Sequence, residues 1–441
     1  MPPEREGVGF LIKKNTKIID GKIQFRLIIH SDDQDDINLS ESVYRGGLAR
    51  PSTLPWNNGR KPMSSPAREV SGERALEAYR LAIGQRREEL ITPALILDLG
   101  LLRENIATMA EWTGPHAKIR PHTKTHKCAE IARLQVAAGA VGITVATVWE
   151  AVAMADAGLD NILIANEVIG EQKLRRVAET ARENNILLAV DSLAGAEALA
   201  RAAVTAGAKV GVLIEMDVGM RRGGVRTQEE ACSLAAALSR LPGIALRGIT
   251  GFEGHAVLEP DRHLRAKIAA EAIDRLIACV EALEQGGFEI EIVSAGGTNT
   301  YDMTGANPRV TELQAGTYAL MDSAYAPFAP AFKPALHMMG TVVSRNARTA
   351  VLDCGTKVMS MDMGAPVLLE LGATVRAVHE EHTLLDVEDE KRLPVGEVVE
   401  MVVRYCGGTV NLNDVYNVVE GDRVVGVWPI LARGPGRRWV G

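Results

Sequence analysis

Aromatic residues are scarce: Phe, Trp and Tyr make up 4% of the 441 positions. A surface that binds single-stranded nucleic acid stacks bases on aromatic platforms, so this chain is a poor candidate for one. An excess of basic charge is missing too. The net charge is −7, which gives little support to binding nucleic acid or an anionic membrane surface. No apolar run approaches the ~20 residues that span a bilayer. Met1 is followed by charged residues rather than by a basic start and an apolar stretch, so no secretory leader is expected. The five cysteines (Cys128, Cys232, Cys279, Cys354, Cys406) are odd in number and scattered, with no CxxC pair. They read as free thiols in a reducing cytoplasm. Hydrophobic residues are abundant at 46%, enough for a large core and for more than one domain.

Residues 1–62 differ from the rest. They hold one alanine, Ala49, and end in the loop-like run "RPSTLPWNNGRKP". From Met63 the chain turns rich in Ala, Leu and Val, and 63–90 reads as a capped amphipathic helix. Residues 1–62 are expected to be a disordered or non-native extension, with Met63 the natural start. Between 118 and 316, short β-branched runs alternate with amphipathic helical runs. The strand candidates are "KIRPHTK", "GITVAT", "NILIANE", "ILLAVD", "KVGVLIEMDV", "ALRGITGFE", "IEIVSAG" and "VTELQAG". Helices are expected over 172–184, 228–241 and 262–285. Eight βα units in succession predict an α/β fold of the parallel (β/α)8 barrel type over 91–330. An open doubly wound sheet is the competing arrangement. From 331 to 441 the helical period fades into short strands split by turns, which predicts a C-terminal β-domain, with 91–99 a candidate to join it.

Barrel enzymes carry their chemistry at the C-terminal ends of the strands. "IRPHTKTHKC" puts Lys124 at the end of the first, between His122 and His126. A lysine desolvated there, beside other cations, becomes nucleophilic. On its own it reads better as a solvated loop lysine, as does Lys127, and the other strand ends change that balance. The fifth ends in "DVGMRRGGV", with Arg222 as the inward cation; the sixth, in "GFEGH", delivers His255. The seventh runs into "SAGGTNTY", where Gly296, Gly297 and Thr298 precede a short helix, a cradle suited to phosphate. The eighth leads to Tyr318 and Asp322. A lysine, a phosphate cradle and an arginine at one mouth suggest pyridoxal phosphate.

With "ATVWEA", "TELQAGTYALMD", "DCGTKVMSMDMGAP", "EEHTLL" and "TVNLND" added to the motifs above, residues 90–436 resemble the D-threonine aldolase/D-serine dehydratase family. These are pyridoxal-phosphate enzymes whose barrel is shared with alanine racemase. The resemblance implies that Lys124 carries the cofactor, Arg222 faces its pyridine nitrogen, and His255 is a catalytic histidine near the substrate's β-hydroxyl. It implies cofactor contacts from His122, Ser294, Gly296, Gly297, Thr298 and Tyr318. It also implies a homodimer and a small D-amino-acid substrate. One departure concerns metal. The family has His-Cys-Asp or His-x-Cys before "TVNL", and the first and third of these residues bind a divalent ion. Here the place reads "YCGGTVNL", with Tyr405 and Gly407 at the two ligand positions. Neither suits such an ion. No metal is therefore expected, and Tyr405 becomes a candidate acid–base group. The expected reaction is retro-aldol cleavage to glycine plus an aldehyde, with dehydration and racemisation as alternatives. A non-catalytic cofactor carrier is disfavoured because it has no need of a general base.

Overall fold

The computed structural model describes residues 11–19, 22–30, 77, 79–114, 116–369, 372–388 and 392–434. Its contacts divide the chain into two units, Met1–Glu69 and Val70–Gly441. In the first, Leu11–Ile19 pairs antiparallel with Lys22–His30. The rest of the expected 1–62 extension, and most of the helix expected over 63–90, lie outside the described residues.

In the second unit eight parallel strands form one sheet: β1 (Lys118–Ile119), β2 (Ile143–Val145), β3 (Ile162–Ile164), β4 (Ile186–Val190), β5 (Val210–Glu215), β6 (Ile244–Thr250), β7 (Ile292–Ala295) and β8 (Glu312–Leu313). Sequential pairing runs from β2 round to β8, and β8 pairs with β1. A parallel bridge between His122 and Thr144 closes the ring, and the Thr144 hydroxyl donates to Arg120 O at 2.8 Å across that seam. The barrel is thus complete, and the open-sheet alternative is set aside.

The strands are apolar on both faces because both are covered. Alternate side chains, such as Ile162, Ile164, Ile186 and Leu188, pack with helix residues Leu174 and Val177 in the main core. The intervening Leu163, Leu187 and Leu213 form a separate cluster inside the barrel. Caps set the helix starts. Thr147 accepts from Glu150 N ahead of Val148–Asp156. Asp261 accepts from His263 N and Leu264 N ahead of Arg262–Gln285, the helix expected over 262–285.

The β-domain is a nine-stranded sheet whose central strand, Leu336–Arg345, pairs with Ala94–Asp98, Thr349–Leu352 and Val398–Val402. Ala94–Asp98 also pairs parallel with Val415–Glu420, so a segment ahead of the barrel belongs to this sheet. One link positions the site: Tyr416 Oη donates to His126 O at 2.6 Å, tying the sheet to the turn that holds Lys124.

Candidate active site

β1 is shorter than expected. It stops at Ile119, and Lys124 lies in a single 3-10 turn, Thr123–Thr125. The next helix does not follow at once. Lys127 has φ 48°, outside the helical region, and the helix begins at Ala129. The two lysines meet different surroundings. The Lys127 amine pairs with the buried Glu150 carboxylate and reaches Ala432 O at 3.4 Å. Lys124 presents its surface to a cavity while protein atoms crowd its other sides, with Nζ 5.9 Å from the Phe252 ring centre. Burial, then the Arg222 charge, pull its pKa down.

The cavity, about 300 Å³, opens at the C-terminal ends of the strands and is lined by His122, Lys124, Arg222, Gly296, Gly297, Thr298 and Tyr405 among others. Seven of the ten residues expected at the site are therefore brought together. Three take other places. Ser294 is fully buried in β7 and reaches the cavity only through Gln314, whose Nε2 donates to the Ser294 hydroxyl at 2.9 Å. Tyr318 is turned into the core because its phenol accepts from Gln135 Nε2 at 2.9 Å; its backbone N–H holds the Thr298 hydroxyl at 3.0 Å. His255 is exposed at the rim, its ring 3.1 Å from where a Cβ on Gly219 would stand.

Charge in the cavity is unevenly distributed. Burial, then Lys124, hold the His122 imidazole well below its ordinary pKa, so it is neutral. Its Nδ1 is buried without a hydrogen bond of normal geometry. Arg222 Nη2 lies 3.8 Å from Glu215 Oε1. Glu215, at the end of β5, is pushed up to about 8 by burial and by the neighbouring Glu167 carboxyl. Tyr405 and Tyr325 share a wall. Burial raises both phenols, Tyr405 with help from Asp322 and Tyr325 to about 12 with help from Tyr405.

These features fit pyridoxal phosphate. The amine for its aldehyde is Lys124, the buried Nδ1 of His122 wants a polar partner, and at Gly296 (φ 83°) a Cβ would meet Leu313 Cδ2 at 2.5 Å, so the loop must be glycine to lie this close to the core. They do not fit the family's metal. Tyr405 is a phenol that keeps its proton, Gly407 has no donor, and the Cys406 thiol turns away to Met321 O at 3.3 Å.

Comparison with known proteins bears on the same residues. Residues 97–324 match the family "alanine racemase, N-terminal domain", and 335–419 match "putative serine dehydratase domain". A D-threonine aldolase of Arthrobacter sp is 35% identical, covering 78% of this chain and 93% of that protein. The chain belongs to the D-threonine aldolase/D-serine dehydratase-like family of pyridoxal-phosphate enzymes. Within it, a 3-hydroxy-D-aspartate aldolase of Paracoccus denitrificans (strain Pd 1222) is 33% identical over 80% of this chain and 95% of its own. The crystal structure of a D-threonine aldolase from Filomicrobium marinum superposes with a TM-score of 0.78 at 36% identity, covering 80% of this chain and 97% of that one. The fold is alanine racemase-like, and the family membership makes this protein a lyase of the pyridoxal-phosphate class.

Several cavity residues were missed from sequence: Glu215, Phe252, Gln314 and Tyr325. Glu215 carried a signal, a lone carboxylate inside the apolar run "VGVLIEM". The others look like ordinary strand or loop residues. No helix among the described residues is long and apolar enough to cross a membrane.

Proposed function

We propose that the protein cleaves a small β-hydroxy D-amino acid by a retro-aldol reaction to glycine and an aldehyde, without the metal of its relatives. The reading rests on one observation: the Lys124 amine, the Gly296–Gly297–Thr298 loop, Arg222 and the Tyr405 phenol line a single cavity. When bound there, pyridoxal phosphate supplies an aldehyde for that amine and a ring that withdraws electrons from the substrate's α-carbon.

The chain's own residues do the rest. Burial and Arg222 favour the unprotonated, nucleophilic form of Lys124. The Thr298 hydroxyl, which accepts from Tyr318 N and keeps its own proton to donate, is assigned to the phosphate end, and Gly296 and Gly297 leave room for it. Arg222 stands for the pyridine nitrogen, and a fixed cation there disfavours a second positive charge. His255, at the rim, is assigned the β-hydroxyl proton as Cα–Cβ cleavage begins. Tyr405 keeps its proton at neutral pH, so it enters as a donor, to the β-oxygen or to the α-carbon. A phenol so placed also favours racemisation as a second reading, because it could exchange the α-proton. The five described cysteines are all free, in keeping with a cytoplasmic setting. A homodimer is proposed on resemblance alone.

Purified protein incubated with D-threonine, D-serine and D-alanine tests the reading. Glycine plus acetaldehyde from D-threonine is the expected outcome. Pyruvate and ammonia from D-serine alone would make it a dehydratase, and L-alanine from D-alanine alone a racemase. Borohydride reduction of the loaded protein should leave the cofactor on Lys124, and Lys124→Ala should abolish the label. A label on Lys127 would overturn the assignment.

A further inference from the structure

Behind the glycine loop lies a carboxylate with no role in the scheme above. Glu253 follows β6 and is fully buried, and no cation pairs with it among the described residues. Three donors converge on it. Gly296 N donates to Oε2 at 3.1 Å, the Thr300 hydroxyl donates to Oε1 at 2.6 Å, and the Thr304 hydroxyl donates to the same oxygen. A backbone N–H and two hydroxyls thus meet both carboxyl oxygens. A buried polar group is costly unless it is hydrogen-bonded, and this one is held from three sides.

Its effect is on the loop. Gly297 N donates to the Thr300 hydroxyl at 3.1 Å, and that hydroxyl in turn donates to Glu253. Both glycine N–H groups are therefore tied, directly or through one hydroxyl, to the carboxylate behind them. The cavity-facing edge they leave is that of Gly296, Gly297 and Thr298, with the Thr298 hydroxyl fixed from behind by Tyr318 N.

We propose that Glu253 is the positioning residue of the phosphate cradle, fixing which groups of the 296–298 loop face the anion. This inference rests on the reading that the cavity holds pyridoxal phosphate. Gln at 253 keeps the size but turns one acceptor into an NH₂ donor. Placed at Oε2 it meets Gly296 N–H donor to donor, and placed at Oε1 it takes away the acceptor shared by the Thr300 and Thr304 hydroxyls, so either way one tie of the loop is lost.

Equilibrium dialysis of the full chain against pyridoxal phosphate, and separately against pyridoxal, which lacks the phosphate, is the test. Glu253→Gln should weaken the phosphorylated ligand by about tenfold, the scale of one buried hydrogen bond, and leave pyridoxal within about twofold. Thr304→Val removes one donor to the carboxylate and leaves both hydrogen-bond ties of the loop in place, and should shift the same ratio by a smaller factor, about threefold. It decides the matter if the glutamine variant does not fold. Equal losses for both ligands, or an unchanged ratio in Thr304→Val, would overturn the role of Glu253 alone. Failure of the wild-type chain to bind pyridoxal phosphate would overturn the underlying reading, and this inference with it.

Discussion

Glu215→Gln should reverse the alkaline weakening of the fold. Glu215 is 8% exposed, and its folded-state pKa is raised from 4.5 to about 8 by burial and by Glu167, against an opposing pull from Arg222, with Asp191 adding least. In the unfolded chain the group ionises near 4.5. Between 4.5 and 8 the folded state therefore binds a proton that the unfolded state has released, and stability falls as pH rises. Below 4.5 both states are protonated and the group is neutral in the balance. At about 1.4 kcal/mol per pH unit, the full window is worth at most about 5 kcal/mol. Because Glu167 shares the site, a loss of roughly 2–4 kcal/mol is expected. Glutamine has no proton to lose. Urea unfolding of both proteins at pH 5, 6, 7, 8 and 9, at fixed cofactor concentration, gives the comparison, and the difference cancels the titrating groups they share. Expected stabilities coincide near pH 5 and diverge in favour of Glu215→Gln by pH 9. Parallel curves across the whole range would show that Glu215 is ionised in the fold and that the reasoning fails.

Tyr405→Phe should lower turnover about 10²–10⁴-fold, while a chelator leaves wild-type activity unchanged. Wild-type turnover in the variant would remove the phenol from the chemistry, and activity abolished by chelation would refute the metal-free reading. Glu312→Ala should cost about 3–5 kcal/mol in unfolding, since it strands the Arg120 guanidinium, 3% exposed and 2.8 Å from Glu312 where β1 meets β8; a loss below about 1 kcal/mol would contradict the burial argument. His255→Gln should slow cleavage of D-threonine, and unchanged kcat/KM would leave the imidazole as a rim residue only.

The barrel was legible because its signals are local. Apolar β-branched runs, amphipathic helices and side-chain caps such as Asp261 each act within a few residues, and eight repetitions leave few topologies. The mouth was legible for the same reason: where a strand ends, the next residues reach the site, as Lys124, Arg222 and Gly296 do. Direction was harder. Tyr318 stands two residues beyond Gly316 in the loop after β8, yet Gln135 from a distant helix draws its phenol into the core. Ser294 lies in β7 itself, and Gln314 comes between it and the cavity.

The residues around Lys124 show why such directions escape a linear reading. Lys124 and Lys127 share residue type, local charge and a turn. What separates them is Glu150, on the helix after β2, which takes the Lys127 amine, together with the carbonyl of Ala432 from the far end of the chain. With Lys127 neutralised by that ion pair, the cation beside Lys124 is Arg222, from the loop after β5. Nucleophilicity at position 124 is therefore a property assembled by β1, β2, β5 and the C-terminal segment together. A substitution at Glu150 would be felt there: it would free the Lys127 charge and remove the carboxylate whose field raises the pKa of Lys124, and both changes push that amine further toward its unprotonated form.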